Sequence, residues 1–307
     1  MEYIFLIIGL FLLIKGADFF VDGASGVAAK FRVPSLIVGL TVVSFGTSAP
    51  EAAISISASL RGSNAISLGN IIGSNLFNLL MVIGITALFV PLTAETDVIK
   101  RDMPVNIFAA GALAIAILDG VIERYEAVLF LAALAIYLFV IIKKALRHPV
   151  ETGSTKELSW TFSIIYVIGG LAAVVLGGDI VVDNARIIAA SLGMSETLIG
   201  LTVVALGTSL PELVTSLVAA RKGEADIAIG NAVGSCLFNT LFILGITGTI
   251  APLRVESALT TDTAFLAIVT LIVYLFAAKN KNIARTEGAI CVGLYAIYTA
   301  FIIFRAY

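Results

Sequence analysis

Residues 39–78 read GLTVVSFGTSAPEAAISISASLRGSNAISLGNIIGSNLFN, and residues 200–239 read GLTVVALGTSLPELVTSLVAARKGEADIAIGNAVGSCLFN. Aligned without a gap at a constant offset of 161, the two stretches are identical at 21 of 40 positions. Self-similarity of that extent marks a chain built from two copies of one unit. The offset holds outside the quoted stretch as well, where Gly16, Asp18, Val21 and Asp22 align with Gly177, Asp179, Val182 and Asp183. The first apolar run is therefore part of the repeat, and it is expected to be a retained segment rather than a cleaved signal.

Composition says what the unit is made for. The chain has 307 residues, of which 59% are hydrophobic and 13% charged, with a mean hydropathy of +1.06. These values lie far outside the soluble globular range. A helix needs roughly 20 apolar residues to cross the hydrocarbon core. Apolar runs centre on 3–25, 34–60, 65–92, 104–118 and 125–142, and, after a polar connection, on 160–182, 197–220, 226–250, 258–278 and 286–304. The fold expected is all-α and integral to a lipid bilayer, with ten spans as two five-helix repeats, 1–142 and 160–307, joined by a linker at 143–159. A net charge of -2 without a basic cluster argues against a nucleic-acid partner. Cys236 and Cys291 sit in apolar runs without ligand spacing and read as small core residues, and His148 reads as a solvated linker residue.

Lys and Arg are distributed unevenly over the connections. One alternating set carries Lys30, Arg32, Lys100, Arg101, Lys143, Lys144, Arg147, Lys156, Arg221, Lys222, Lys279, Lys281 and Arg285, while the other carries Arg61, Arg124, Arg186, Arg254 and Arg305. Cytoplasmic loops hold the excess, so the linker is expected in the cytoplasm and both termini outside. An odd number of spans per copy makes the two copies enter the membrane from opposite sides, around a pseudo-two-fold axis in its plane. Trp160, Tyr3, Tyr125 and Tyr307 lie near span ends and fit interface anchors. Asp18, Asp22, Asp179 and Asp183 fall toward the ends of the first span of each copy and are expected to be structural.

The repeated core holds chemistry that lipid does not favour. Thr47, Ser48 and Glu51 in GTSAPE, and Thr208, Ser209 and Glu212 in GTSLPE, stand inside apolar runs. A charged side chain at a helix centre costs about 3 kcal/mol on insertion scales. The nearest basic residues, Arg61 and Arg221 to Lys222, are about ten positions further on, where they would snorkel to the surface. A bound cation is the natural counter-charge. Pro50 and Pro211 each remove a helix hydrogen bond, so helices 2 and 7 are expected to be broken at the membrane midplane. The freed carbonyls of Ser44, Thr47, Ala205 and Thr208 would then be available to a hard cation. In the next helix, Ser74 and Asn78, and Ser235 and Asn239, lie four residues apart on one face. Gly69 and Gly73, like Gly230 and Gly234, would let that helix approach a neighbour closely. Small residues with Ser and Asn are by themselves ordinary glue between membrane helices, and it is the duplicated acid beside a helix breaker that goes beyond packing.

The pair GTSAPE and GTSLPE, each followed by GN-x-x-GS-x-x-x-N, resembles the alpha repeats of the cation/calcium antiporter superfamily, in its sodium/calcium exchanger branch. The resemblance spans essentially the whole chain. It implies a calcium site made by Glu51, Glu212 and the carbonyls of Thr47 and Thr208. It also implies flanking sodium sites drawing on Ser48, Ser74, Ser209, Ser235 and the carbonyls of Ser44 and Ala205, with Asn78 and Asn239 at the centre. Some relatives carry aspartate where this chain has Asn239, so two formal negative charges are expected here. The implied activity is exchange of Na⁺ for Ca²⁺ by alternating access at the plasma membrane, electrogenic if three Na⁺ cross per Ca²⁺. The ions are cargo and no cofactor is expected. One chain contains both halves of the site, so a monomer would suffice. The proton-coupled branch usually reads Gly-Asn-x-x-Glu at the acidic element, which favours sodium. Proton or potassium coupling and a passive cation channel are the rivals. An intramembrane enzyme is disfavoured, because no His or Lys stands ready to activate a serine.

Overall fold

The computed structural model describes residues 1–147, 158–193 and 207–306. The fold is helical apart from four two-residue strands. Helix α1 covers Glu2–Phe31, α2 Ser35–Thr47, α3 Ala49–Leu60 and α4 Asn64–Phe89. A π-helical turn, Val98–Asp102, leads into α5, Met103–Ala116, and α6 is Arg124–Arg147. The second copy supplies α7 Trp160–Ser191, α8 Leu210–Arg221, α9 Ala225–Ile250, α10 Ser257–Asn280 and α11 Arg285–Ala306. Seven of these helices are long and apolar enough to cross a membrane, and an eighth span follows if α2 and α3 are taken together. The first helices of the two copies run well past the expected ends, to Phe31 and Ser191, and α6 runs to Arg147, into the expected linker. The expected run 197–220 is described only from 207 onward, and Ala205 and His148 lie outside the described residues.

The helices on either side of Ser48 are bent against each other. The axes of α2 and α3 differ by 50° across Ser48, and Pro50 occupies the first turn of α3, where its missing N–H is no loss. Pro211 has the same place in α8. Gly62 and Gly223, with φ of +73° and +85°, close the equivalent turns after α3 and α8, a conformation that favours glycine.

Tertiary contacts reproduce the repeat with partners exchanged. Strand β1 (Leu92–Thr93) pairs antiparallel with β4 (Asn282–Ile283), and β2 (Val121–Ile122) with β3 (Leu253–Arg254). Adding 161 to Leu92 and subtracting it from Ile283 converts the pair Leu92↔Ile283 into Leu253↔Ile122, which is observed. Such reciprocity is what a two-fold relation between the copies produces. The pairings also sort the connections: β1 and β4 both belong to the Lys-rich set and β2 and β3 both to the Lys-poor set.

Helices α1 and α7 pack antiparallel with backbone in contact. Gly9, Gly16 and Gly23 on α1 recur every seven residues opposite Val181, Val174 and Val167 of α7, and Gly170 and Gly177 face Phe20 and Leu13. A Cβ on Gly16 would stand 2.7 Å from Val174 N, and one on Gly177 would stand 2.6 Å from Leu13 N. Only glycine permits this separation. The outer faces of both helices carry exposed apolar side chains such as Ile7, Phe11, Ile168 and Leu176, the pattern of lipid-facing surface. At the opposite extreme, α4 and α9 are buried along most of their length and form the centre of the molecule. Cys236 and Cys291 are buried free thiols, as expected.

Candidate functional site

Ser48 and Ser209 are the N-cap positions of α3 and α8, so Glu51 and Glu212 fall in the first turn of helices that begin inside the protein. The unpaired amides and dipole of a helix N-terminus favour negative charge there. This local arrangement helps an acid tolerate burial, and both glutamates are fully buried, with 0% exposure. No Lys, Arg or His side chain forms an ion pair with either one among the described residues.

The two copies meet at these acids, and each helps hold the other's. Ser48 Oγ donates to Glu212 Oε1 at 2.9 Å, and Ser209 Oγ donates to Glu51 Oε1 at 2.9 Å. Ser74 Oγ adds a long contact to Glu51 Oε1 at 3.5 Å. Behind the carboxylates, Asn70 Nδ2 donates to the Glu51 carbonyl (3.2 Å) and to Ser55 Oγ (2.9 Å), while Asn231 Nδ2 donates to the Glu212 carbonyl (3.2 Å) and Ser216 Oγ (2.9 Å). Thr47 Oγ1 donates to Asn231 Oδ1 at 3.0 Å, which ties α2 to α9. Asn70, Asn231, Ser55 and Ser216 are not among the residues expected from the sequence. Their signal was recurrence at the offset of 161.

What is left over defines the site. Oε2 of Glu51 and of Glu212, both polar side-chain atoms of Asn78 and of Asn239, and Oγ of Ser235 are buried without a hydrogen-bond partner among the described residues. A buried polar group without a partner costs about 1–3 kcal/mol, so this many in one region calls for a ligand. The oxygens among them are atoms a hard cation uses. Asn78 opens a π-helical turn within α4, Asn78–Val82, and Asn239 lies at the start of the matching turn in α9, Phe238–Ile243. Such turns interrupt the regular hydrogen-bond ladder and recur at functional positions.

The remaining expected residues divide. Ser44 is buried against α9, where a Cβ on Gly234 would stand 2.8 Å from its Oγ. Its carbonyl is not free as expected, because it accepts the Ser48 amide at 3.0 Å and the Thr47 hydroxyl at 3.4 Å. Both lone pairs of the carbonyl are thus engaged, so an ion would have to displace the longer Thr47 bond to use the Ser44 carbonyl as a ligand. Thr208 is half-buried in the turn before α8, and Ala205 lies outside the described residues. Gly230 and Gly234 make the expected close approach, with Cβ positions 2.9 Å from backbone atoms of Leu36 and Leu40. No such contact forms at Gly69 and Gly73 among the described residues; positions 197 and 201, which correspond to Leu36 and Leu40, lie outside them. No group of three or more His, Cys, Asp or Glu is assembled among the described residues, so neutral oxygens must complete any cation shell here.

Comparison with known proteins agrees with this architecture. The chain is 32% identical to the sodium/calcium exchanger MaX1 of Methanosarcina acetivorans, covering 100% of this chain and 99% of that protein. It is 33% identical to the inner membrane protein YrbG of Escherichia coli, covering 96% and 94%. Among solved structures it superposes on the sodium-calcium exchanger NCX_Mj soaked without Na⁺ and Ca²⁺, with a TM-score of 0.87, 33% identity and 98% coverage of both chains. The sodium/calcium exchanger protein family model matches residues 1–143 and 162–304, and the chain belongs to that family.

Proposed function

We propose that this protein exchanges Na⁺ for Ca²⁺ across a membrane by alternating access, with the Glu51/Glu212 pair as the shared site. The observation that carries the reading is the reciprocal pair of buried carboxylates, each with one oxygen held by the other copy's serine and one unshared. Two carboxylates carry the charge of one Ca²⁺, and the same oxygens cannot serve a full set of sodium ions at the same time. Occupancy is therefore mutually exclusive, and if only loaded forms change access, outward movement of one ion requires inward movement of the other. A third Na⁺ per cycle would make the exchange electrogenic, a coupling of about 2.3 kcal/mol per charge per 100 mV.

The reading includes a ten-span arrangement of two inverted five-helix copies, with α2–α3 and the run ending in α8 as the broken spans. The reciprocal strand pairs and the Lys-rich and Lys-poor connections support it. It also places the Lys-rich face in the cytoplasm of a cell-membrane protein whose single chain suffices for transport. Carbonyls of Thr47 and Thr208 complete the calcium shell, with Ser48, Ser74, Ser209 and Ser235 serving the flanking sodium positions.

Reconstituted protein decides between the couplings. Vesicles loaded with Na⁺ should take up labelled Ca²⁺ only while the sodium gradient is directed outward, and both Glu51→Gln and Glu212→Gln should abolish uptake. Uptake of equal size without sodium identifies a passive pathway, and uptake driven by a proton gradient identifies proton coupling. Either result overturns the sodium reading.

A further inference from the structure

The α1/α7 pair is joined internally by backbone contact along its whole length, yet its polar connection to the rest of the protein is narrow. Among the described residues, every side-chain hydrogen bond and ion pair linking α1 or α7 to another helix comes from Lys222, in the turn after α8. Its Nζ lies 2.7 Å from Asp22 Oδ1 and 3.2 Å from Asp18 Oδ1, and it donates to the Asp18 carbonyl at 2.8 Å. Lys15, on α1 itself, also reaches Asp18, at 3.3 Å. Asp22 and Lys222, with Ser25, Tyr166 and Glu224, border a cavity at that end of the pair.

The offset of 161 maps this cluster onto Arg61, Asp179 and Asp183 at the other end of the pair. Both aspartates are conserved between the copies in identity, and the base in sign. Among the described residues, Arg61, Asp179 and Asp183 make no ion pair. The strand pairs and the serine–glutamate bonds obey the two-fold relation in full, whereas this contact is made at one end and unmade at the other. Inverted copies switch access when one body moves against the other, and the two end states exchange the conformations of the copies. A contact made in one copy only is therefore the mark of the state, and the state with exchanged conformations makes the other contact.

We propose that Lys222 and Arg61 are positioning residues of the transport cycle: the Lys222–Asp18/Asp22 latch and an Arg61–Asp179/Asp183 latch form alternately, each holding the α1/α7 pair in one access state. This rests on the alternating-access reading above, although it does not depend on which ions are carried. The latches set the balance between states and touch no ion. By charge distribution the latch made here is on the Lys-rich face, so the path on that face is the closed one.

The test reads access at both ends without using ion transport. Reporter cysteines are placed at Ser25→Cys, beside the made latch, and separately at Ala185→Cys, beside the unmade one, in full-length protein in lipid vesicles. Labelling rates with an impermeant maleimide are measured from each face. Partly exposed ion pairs set equilibria by about two- to fivefold. Lys222→Gln should raise labelling at position 25 and lower it at position 185 by that factor, and Arg61→Gln should do the reverse. Lys222→Arg should restore the parent rates. Local loosening around a merely structural lysine would raise the rate at 25 and leave 185 unchanged, which overturns the proposal, as does a shift in the same direction from both variants. Loss of sodium-driven uptake with the reciprocal labelling intact would instead count against the ion assignment alone.

Discussion

Replacing Glu51 by Gln keeps the shape of the side chain and its capacity to accept the Ser209 hydroxyl, now bonded at 2.9 Å, while removing one of the two charges. The size of the effect follows from ion valence. At a separation of about 4 Å and an effective dielectric constant of about 20, two unit charges attract by about 4 kcal/mol. One carboxylate therefore contributes about 8 kcal/mol toward a divalent ion and about 4 toward a monovalent one, before opposing terms. The amide is less costly to bury and no longer repels Glu212, which offsets roughly half of that gain. A net loss of about 3–5 kcal/mol is left for Ca²⁺, or roughly 10²- to 10⁴-fold in affinity. For Na⁺ the loss is about half as large in free energy, roughly 10- to 70-fold. Calorimetric titration of purified protein with each ion measures both numbers. Stability supplies the folding control: without ions the variant should melt at or above the parent temperature, since two buried carboxylates no longer face each other, and the Ca²⁺-dependent rise in Tm should disappear. Equal factors for the two ions, or a Ca²⁺ loss below tenfold, would refute the placement of the glutamate as a direct charge ligand.

The asparagines behind the acids should matter unequally. Asn231→Ala strips partners from the Glu212 carbonyl, Ser216 and Thr47 at a fully buried position, and should lower stability by about 2–4 kcal/mol and Ca²⁺ affinity by roughly 10- to 100-fold. Asn70→Ala, at a half-buried position with two partners, should cost less on both scales, and melting curves with and without Ca²⁺ separate the two effects. A contrast between adjacent glycines tests the α1/α7 interface. Gly170→Ala puts a Cβ 2.5 Å from Phe20 N and should destabilise by about 2 kcal/mol or more, whereas Gly169→Ala meets no described atom within 4 Å and should be neutral in a thermal melt. Tyr137→Phe removes the 2.9 Å bond to buried Asp102, which keeps Arg101 as a partner, so a loss of about 1 kcal/mol is expected by the same measurement.

How much of the site could be read beforehand depends on the range of the interaction that made it. Glu51 and Glu212 stood out because an acid and a proline inside an apolar run violate local expectations, and the 50° bend across Ser48 lies beside the first of those prolines. Helical spacing put Ser74 with Asn78, and Ser235 with Asn239, on one helix face, and all four are buried. The exchange of partners between copies had no such signal. A repeat seen in one dimension says that Ser48 and Ser209 are equivalent, yet not that each reaches across to the other copy's glutamate. Asn70 and Asn231 did not stand out, since their bonds to glutamate carbonyls depend on how α3 meets α4 and α8 meets α9. The seven-residue spacing of Gly9, Gly16 and Gly23 was visible, but its meaning required a second helix with glycines placed to match.

The least legible feature is the most informative about mechanism. Equivalent sequences in two copies favour equivalent contacts, and the strands and the serine–glutamate bonds comply. At Lys222 and Arg61 they do not. The aspartates recur and the base keeps its sign, although Lys222 aligns with Arg61 and Lys15 with Leu176. As proposed above, the difference belongs to the conformation. A site that binds ions through symmetric ligands and a support that is asymmetric in any single state are together what alternating access demands. On the proposed reading the glutamates remain one site throughout, while the helices that admit ions to it take turns.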